Sequence, residues 1–469
     1  MNVAVIGAGP AGVMAALRAA QLGAATTLVT SGAFGGMAAE DGPVPVRTLA
    51  HAARLIDQAR QLGRYGIRVG PPRLEYPELL LRVREVVRDV SERSSLRAEA
   101  DRLDVTIRER VGPVRFLDSH TVETAAGHRL EAERIILCTG GKARRLSVPG
   151  AELTATHSDA WSLTEVPPSI LVVGGGMTGL QVASIFHAFG SRVELFQRGR
   201  RILPDEDEEV AAEVAATLRA SGMRVREDGG SIDGFERTPV GIRMSFSRDG
   251  RRETTEAALV VVAIGWNADT AGLNLTAAGI ELDARGFVVV DEFLATSAPH
   301  VFAAGDITGR SFLVPPAVLD GHIAATNAVK GTNVASEKRT IPIGGFTDPE
   351  YAHVGVTEEE ARSRHDPVIG KVRFDETVRT IVDGRTAGFC KLIADRATRQ
   401  IVGCHVVGER AADIVQAAAI AMAGGVTVDA LAKIPLAFPT YVGLLSRAAY
   451  RAAGQIDAAL VAPAHRVMH

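Results

Sequence analysis

Two glycine-rich turns in this sequence have the spacing of a loop that binds a diphosphate. They follow the apolar runs Val3–Ile6 and Ile170–Val173, and their glycines are Gly7, Gly9 and Gly12 in the first and Gly174, Gly176 and Gly179 in the second. A stretch with helical periodicity follows each turn, so each is predicted to join a strand to a helix. The first glycine permits a tight bend, the second lets a pyrophosphate approach the backbone, and the third lets helix and strand pack closely. The sequence therefore predicts two dinucleotide-binding units.

The segments around these turns indicate the elements that must position them. At roughly 150 residues per domain, a chain of 469 residues predicts about three domains. Tyr76–Leu103 is charged and periodic, which predicts one long exposed helix, and Thr255–Ile264 predicts one strand. The C-terminal part alternates β-like runs such as Ile401–Val407 with alanine-rich helical runs such as Ala411–Met422. This alternation predicts a third, α+β domain.

The composition excludes several classes of function. The chain has 52 Lys and Arg against 55 Asp and Glu. Its net charge of −3 gives no overall electrostatic attraction to nucleic acid. Its apolar runs are far shorter than the roughly 20 residues of a membrane helix, so no membrane insertion is expected. The N-terminus has no charged leader, which predicts a cytoplasmic location. The three cysteines, Cys138, Cys390 and Cys404, lack metal-ligand spacing, and no metal site is predicted.

Four motifs in one order resemble the FAD-dependent pyridine nucleotide-disulfide oxidoreductase family, which includes glutathione reductase, dihydrolipoamide dehydrogenase and mercuric reductase. The motifs are Val5-Ile6-Gly7-Ala8-Gly9-Pro10-Ala11-Gly12, Ala263-Ile264-Gly265-Trp266-Asn267-Ala268-Asp269-Thr270, the segment Thr296–Asp306, and the segment Phe346–Glu358. The resemblance covers essentially the whole chain. It implies an α/β fold with two Rossmann-like dinucleotide-binding domains and a C-terminal α+β dimerisation domain, and therefore a homodimer.

The resemblance also implies domain limits and cofactors. Residues 1–150 and 271–337 are expected to form the FAD-binding domain, residues 151–270 the NAD(P)-binding domain, and residues 338–469 the dimerisation domain. The residues expected to bind FAD are Gly7, Gly9, Pro10, Ala11, Gly12, Thr30, Gly36, Thr139, Gly140, Gly305, Asp306, Val314, Pro315 and Ala317. Those expected to bind NADPH, or NADH, are Gly174, Gly176, Met177, Thr178, Gly179, Gln181, Gln197, Arg198 and Gly265.

Three of these residues have particular implied roles. Asp306 resembles the family aspartate that accepts hydrogen bonds from the flavin ribityl chain. Val314 begins a predicted helix whose N-terminal dipole would stabilise negative charge on the flavin pyrimidine edge. Thr30 stands where the family has an acidic residue for the adenosine ribose, and it offers a weaker hydroxyl contact.

The chain departs from the family where the family performs thiol chemistry. Ala38 and Pro43 stand at the positions of the two redox cysteines, without a gap in the register. Phe438 and Gly443 replace the histidine and the glutamate that the family supplies from the partner subunit. Dithiol chemistry needs a thiolate and a base that moves its proton. Disulfide reduction is therefore not expected.

The replaced residues suggest a different electron acceptor. Met37, Ala38, Pro43 and Phe438 of the partner subunit would line a small apolar slot beside the flavin, which suits a flat, uncharged acceptor such as a quinone. Arg47 takes the place of the family lysine near flavin N5, while Gln181 replaces its glutamate partner and Met177 the aromatic gate. Arg47 could also be a solvated arginine at a helix start, and the loop carboxylates, Glu40 among them, could donate protons to the acceptor or simply be solvated.

The choice of nicotinamide and of acceptor stays open. Gln197 stands where NAD enzymes usually have a glutamate, and Arg198-Gly199-Arg200-Arg201 follows it, which favours the 2′-phosphate of NADPH over NADH. The leading hypothesis is an NAD(P)H:acceptor oxidoreductase of the quinone-reductase kind that uses a small diffusible acceptor. The alternatives are an NAD(P)H oxidase or transhydrogenase, and a flavin-bound sensor or interaction protein that turns over slowly.

Overall fold

The structure is a computed structural model that describes residues 1–336 and 340–457. The first part of the chain forms β1 (Asn2–Ile6), α1 (Pro10–Gln21), β2 (Ala25–Val29), α2 (Gly36–Glu40), α3 (Pro43–Gln61), α4 (Tyr76–Arg93), α5 (Ser95–Arg102), β3 (Thr106–Arg108), β4 (Val114–Phe116), β5 (Thr121–Thr124), β6 (Arg129–Glu131), β7 (Arg134–Leu137), β8 (Gly141–Ala143) and α6 (His157–Trp161). The second part forms β9 (Ser169–Val173), α7 (Met177–Ala188), β10 (Arg192–Phe196), α8 (Glu208–Ala220), β11 (Arg224–Arg226), β12 (Ser231–Thr238), β13 (Gly241–Arg248), β14 (Arg251–Ala257), β15 (Leu259–Val262) and β16 (Trp266–Ala268). The third part forms β17 (Val301–Ala303), α9 (Val314–Lys330), β18 (Ile343–Gly345), β19 (Tyr351–Gly355), α10 (Glu358–Arg364), β20 (Pro367–Arg373), α11 (Val378–Val382), β21 (Phe389–Asp395), β22 (Ile401–Val407), α12 (Ala411–Ala423), α13 (Val428–Lys433) and α14 (Gly443–Ile456).

Two parallel sheets carry the two glycine turns. The first has the strand order β17-β7-β1-β2-β3, and the second the order β11-β10-β9-β15. The strands that precede the turns, β1 and β9, lie inside their sheets, and every residue of β9 is buried. Continuous apolar strands of this kind are typical of parallel sheets covered on both faces. The prediction of two Rossmann-like units is confirmed.

The third part of the chain is an antiparallel domain. Its sheet has the order β18-β19-β22-β21-β20, and α12 and α14 pack on it to form a separate apolar core. The α+β expectation is confirmed. Within the second part, β12, β13 and β14 form an antiparallel sheet beside the parallel one. The domain limits drawn above stay a prediction; β16, near the end of the expected NAD(P) segment, pairs with β8 of the first part.

Two predictions of a single element are wrong, because the structure divides each segment into two elements. The segment predicted as one helix over Tyr76–Leu103 is divided at Ser94, whose hydroxyl accepts a hydrogen bond from the backbone N–H of Leu96 and caps α5. A serine that bonds locally in this way competes with the helical ladder. The segment predicted as one strand over Thr255–Ile264 is two strands. β14 pairs with β13, and after Ala258 the chain enters the parallel sheet as β15.

A buried ion cluster ties the second part of the chain to the third. Lys391 of β21 is 1% exposed and lies 2.6 Å from Asp207, 2.9 Å from Glu209 and 3.0 Å from Glu358. A buried cation is tolerated only when several acceptors surround it in this way. Asp207 also caps α8 through the backbone N–H of Glu209. None of the described helices combines the length and the apolar character needed to span a lipid bilayer.

Candidate active site

The first glycine turn has the geometry that a bound diphosphate requires. Gly7 has a φ of 105°, and a Cβ placed on it would lie 2.1 Å from the carbonyl oxygen of Cys138. A Cβ on Gly12 would lie 1.8 Å from the carbonyl oxygen of Gly7, so α1 packs directly on the turn. A Cβ on Gly9 would meet nothing within 4 Å. The turn is therefore tight on its protein side and open at the N-terminus of α1.

The second turn repeats this arrangement. Gly174 has a φ of 111°, and its Cβ would lie 2.2 Å from the carbonyl oxygen of Ala263. A Cβ on Gly179 would lie 1.9 Å from the carbonyl oxygen of Gly174, whereas one on Gly176 would meet nothing within 4 Å. Each turn thus presents a helix N-terminus to open space, which is the backbone feature that binds phosphate.

One cavity of ≈ 570 Å³ collects most of the residues predicted from the sequence. It runs from the first glycine turn to the N-terminus of α9 and reaches the start of α7. The predicted residues that line it are Gly7, Gly9, Pro10, Ala11, Thr30, Gly36, Met37, Ala38, Glu40, Pro43, Arg47, Thr139, Gly140, Met177, Thr178, Gln181, Gly305, Asp306, Val314 and Ala317. Residues of α1 and of α7 therefore face the same cavity.

The remaining predicted residues lie elsewhere. Those that do not line this cavity, among the residues described, are Gly12, Pro315, Gly174, Gly176, Gly179, Gln197, Arg198, Gly265 and Phe438. Gly12 lies against the Gly7 carbonyl, and Pro315 lies in the first turn of α9. Gly174, Gly176 and Gly179 form the second turn. Phe438 is on the surface of the third part, with 63% of its area exposed.

Asp306 presents an unsatisfied carboxylate to the cavity. It follows β17 in a tight turn, and its side chain forms no hydrogen bond to any other described residue. Burial raises the pKa of Asp306 to about 6. A half-buried carboxylate that accepts only from its own backbone N–H is costly unless a ligand supplies further donors. The position therefore suits hydrogen-bond donors such as the hydroxyls of a polyol chain.

Arg47 is not a solvated arginine. Its guanidinium carbon lies 3.4 Å from the centre of the Phe346 ring, and its Nη1 atom is buried without a hydrogen-bond partner among the described residues. Burial lowers the pKa of Arg47 to about 10, against the opposing effects of Glu350 and Tyr351. The Gln181 amide donates to the Phe346 carbonyl at 3.3 Å and so supports the same stack. Arg47 thus brings a positive charge to the cavity wall with one donor group unused.

The polar residues expected near the two riboses differ in their hydrogen bonds and their exposure. Thr30 is buried and its hydroxyl accepts from the backbone N–H of Gly32 at 3.3 Å. The amide oxygen of Gln197 accepts from the backbone N–H of Gly175 at 3.0 Å and braces the second turn. Arg201 donates to the carbonyl oxygens of Glu206 and Pro204. Arg198 is exposed and forms no ion pair within the described part of the chain.

Sequence reasoning missed four aromatic residues on the cavity wall: His157, Trp161, Trp266 and Phe312. The His157 and Trp161 side chains are 5% and 8% exposed, and the ring centres of His157 and Trp266 are 5.0 Å apart. The available signal was the capping box of α6. In it the Thr156 hydroxyl accepts from the backbone of Asp159, and the Asp159 carboxylate accepts from Thr156. That box predicts a helix start at His157, although not its nearness to the cavity.

The cysteines are buried. Cys138 contributes to the cavity wall beneath Gly7, and burial raises the pKa of its thiol to about 12. Cys390 and Cys404 lie within β21 and β22 in the core of the third part. Buried thiols with raised pKa values are poor nucleophiles.

Known proteins match this chain over most of its length. The family described as pyridine nucleotide-disulphide oxidoreductase matches residues 1–324, and its dimerisation domain matches residues 341–449. The dihydrolipoyl dehydrogenase of Thermus scotoductus is 32% identical over 435 residues, which cover 92% of each chain. The mercuric reductase of Lysinibacillus sphaericus is 30% identical over 434 residues, 92% of this chain and 78% of that protein. The crystal structure of LpdA from Mycobacterium tuberculosis has a TM-score of 0.86 at 26% identity and covers 96% of this chain and 99% of that one.

Proposed function

The chain belongs to the pyridine nucleotide-disulphide oxidoreductase family, and from that premise we propose that it is an NAD(P)H:acceptor oxidoreductase that passes electrons directly to a small diffusible molecule such as a quinone. Its cofactors are FAD and NAD(P)H, as in the family. Bound FAD would supply the two-electron redox chemistry that links the nicotinamide to the acceptor. The protein has to hold the two cofactors together, tune the flavin and admit the acceptor.

The residues present fit FAD. The first turn leaves open space at Gly9, where a diphosphate would meet the N-terminus of α1. Among the described residues, the Asp306 carboxylate accepts only from its own backbone N–H, and Arg47 Nη1 has no acceptor. Gly9, Asp306 and Arg47 all line the ≈ 570 Å³ cavity. A diphosphate would suit Gly9, a hydroxylated chain would suit Asp306, and a polar ring edge would suit Arg47.

The position of the second turn supports delivery of a nicotinamide to the same cavity. Met177 and Thr178 begin α7, directly after the open Gly176 position, and both line the cavity. A dinucleotide whose diphosphate lies at this helix start would have one end inside the cavity. Such positioning contributes much of the rate of a transfer between two bound groups. Exposed Arg198, next to the strand β10, supports NADPH as the donor.

The observation that carries the proposal is the wall formed by Met37, Ala38 and Pro43. These side chains border the cavity and contain no nucleophilic sulfur. The three cysteines are all buried, and burial raises the pKa of Cys138, the one that lines the cavity, to about 12. A thiol relay beside the flavin therefore has no candidate residues, and an apolar slot suits a flat acceptor that stacks on a ring.

Anaerobic stopped-flow spectroscopy tests the proposal. NADPH should bleach the flavin within seconds, and a quinone should then restore its colour. Oxygen, ferricyanide, metal ions and a second nicotinamide serve as competing oxidants, so that an oxidase or a transhydrogenase would be recognised by its own acceptor. A flavin that stays oxidised with NADPH would favour the sensor function instead.

A cysteine-free variant provides the matched control. Replacement of Cys138, Cys390 and Cys404 by alanine should leave quinone reduction within about threefold of the parent, since no thiol takes part. Loss of turnover with retained FAD and a retained flavin-reduction step would contradict the proposal. So would a purified protein that is colourless and does not take up added FAD.

A further inference from the structure

His157 is a buried titratable side chain on the wall of the cavity, and it has no role in the function proposed above. It is the first residue of α6 and is 5% exposed. Its ring meets the edge of the Trp266 ring at 5.0 Å and an angle of 67°. Trp161 lines the cavity one turn later. Burial beside the Trp266 ring leaves the imidazole largely desolvated on the wall of the cavity.

A polar path leads from His157 to the segment that borders the acceptor slot. The Ser158 hydroxyl donates a hydrogen bond to the Asp41 carboxylate and lies 3.4 Å from His157 Nε2. Asp41 directly follows α2 and lies between Ala38 and Pro43 in sequence. It is only half-buried, so this carboxylate can exchange protons with water. The path therefore connects solvent with an imidazole beside the slot.

The charges around His157 allow its ring to titrate. Asp41 and Asp159 face it and favour the protonated ring, while burial, the larger effect, lowers the pKa of His157 below its ordinary value of 6.5. Arg145 lies 3.7 Å from Asp159 and weakens that carboxylate's influence. Across the cavity the charged side chains on the wall are Glu40, Arg47, Lys142, Asp269 and Asp306.

We propose that His157 donates a proton to the reduced acceptor and is reprotonated from solvent through Ser158 and Asp41. The proposal rests on the proposed function. Reduction of a quinone to a hydroquinone takes two electrons and two protons. The nicotinamide supplies both electrons and one proton, and His157 supplies the second. The N–H bond of the imidazolium breaks as the O–H bond of the hydroquinone forms. In the return step the Ser158 hydroxyl turns to give its proton to His157 Nε2 and takes one from the Asp41 carboxyl, which has been protonated by water.

The first experiment compares acceptors that differ in their need for protons. In His157→Gln, the rate at which a quinone reoxidises the reduced flavin should fall about 100-fold, the usual minimum effect of general-acid catalysis. Ferricyanide accepts electrons without protons, so its rate should change by less than threefold. The matched control is His128→Gln, which changes an exposed histidine in the turn after β5. It should behave as the parent with both acceptors.

The pH profile separates proton donation from a structural role. In the parent, the quinone rate should fall as the pH rises through the pKa of His157, below 6.5, because the protonated ring is the donor. His157→Gln should lose this limb of the profile. Ser158→Ala should retain it with a lower rate, since the ring remains and only its return path is broken.

A titration independent of turnover completes the test. NMR of the flavoprotein labelled at histidine ring carbons, with His157→Gln used for assignment, should give a His157 pKa that falls in Asp41→Asn because a facing carboxylate is lost. A parent enzyme that reduces ferricyanide but no quinone would overturn the proposed function, and the donor role of His157 with it. If the parent reduces quinones and His157→Gln keeps its rate and pH profile, the role of His157 alone is overturned.

Discussion

The guanidinium group of Arg47 is stacked on the Phe346 ring, 3.4 Å from its centre, and its Nη1 atom finds no acceptor among the described residues. The stack joins α3 of the first part of the chain to the segment before β19. It keeps a half-buried cation at the cavity wall, where burial lowers the pKa of Arg47 to about 10. At neutral pH the group therefore remains charged, and any effect on a bound flavin is that of a full positive charge.

We expect Arg47→Met to slow flavin reduction by NADPH about tenfold or more, since a charge-assisted hydrogen bond contributes about 1.5–3 kcal/mol. The flavin potential should shift to a more negative value by about 30 mV or more. Stopped-flow absorbance and redox titration measure the two effects. Arg47→Lys, which keeps the charge, should recover most of the loss. Unchanged rates and potential in Arg47→Met would show that the stack is only structural.

Asp306 is predicted to lower the stability of the FAD-free protein. Its pKa is about 6 when folded, against 3.8 in the reference state, so the folded state binds the proton more tightly. The contribution of Asp306 to the free energy of unfolding should therefore decrease as the pH rises from about 4 to about 6. Asp306→Asn should remove this dependence and stabilise the FAD-free protein at pH 7 by about 2–3 kcal/mol. Thermal unfolding across this pH range measures it.

The same variant should bind FAD more weakly, because the carboxylate is the stronger acceptor for hydroxyl groups. A fluorescence titration of the stripped protein with FAD gives the affinity. Tighter FAD binding by Asp306→Asn, or a difference in stability between parent and variant that does not change from about pH 4 to about pH 6, would contradict this account of Asp306.

Arg198 is predicted to select NADPH. It is exposed and unpaired within the described residues, and it follows Gln197, which is held by the turn at Gly175. Arg198→Ala should raise the KM for NADPH about tenfold, equivalent to about 1.4 kcal/mol, and change the KM for NADH by less than twofold. Arg251→Ala, an exposed arginine at the start of β14, is the matched control. An equal loss with both nicotinamides would show that Arg198 does not contact the 2′-phosphate.

The glycine turns were predictable from the sequence because their constraint is local. A Cβ on Gly12 or Gly179 would lie within 2 Å of a carbonyl oxygen five residues earlier, so the spacing alone determines the geometry. His157 was not predictable as a cavity residue. Its link to Asp41 runs through the neighbouring Ser158, and Ser158 and Asp41 are 117 residues apart in sequence. The stack of Arg47 on Phe346 likewise depends on how separate sheets pack. The division between α4 and α5 at Ser94 depends on one side-chain hydrogen bond, which the hydrophobic periodicity of the sequence does not reveal.

Phe438 is 63% exposed on its own chain, yet the family's dimerisation domain covers its position. We predict that it completes the slot of Met37, Ala38 and Pro43 in the partner subunit. Phe438→Ala should then lower kcat/KM for a quinone about tenfold or more, since a buried aromatic contact contributes about 1.5–3 kcal/mol. An intersubunit test is sharper. Phe438→Ala and Asp306→Ala homodimers should each be impaired, but mixed dimers should regain activity, because one of their two sites combines an intact Asp306 with Phe438 of the partner subunit. If the mixed dimers are no more active than the average of the two variant homodimers, Phe438 lies outside the partner subunit's slot.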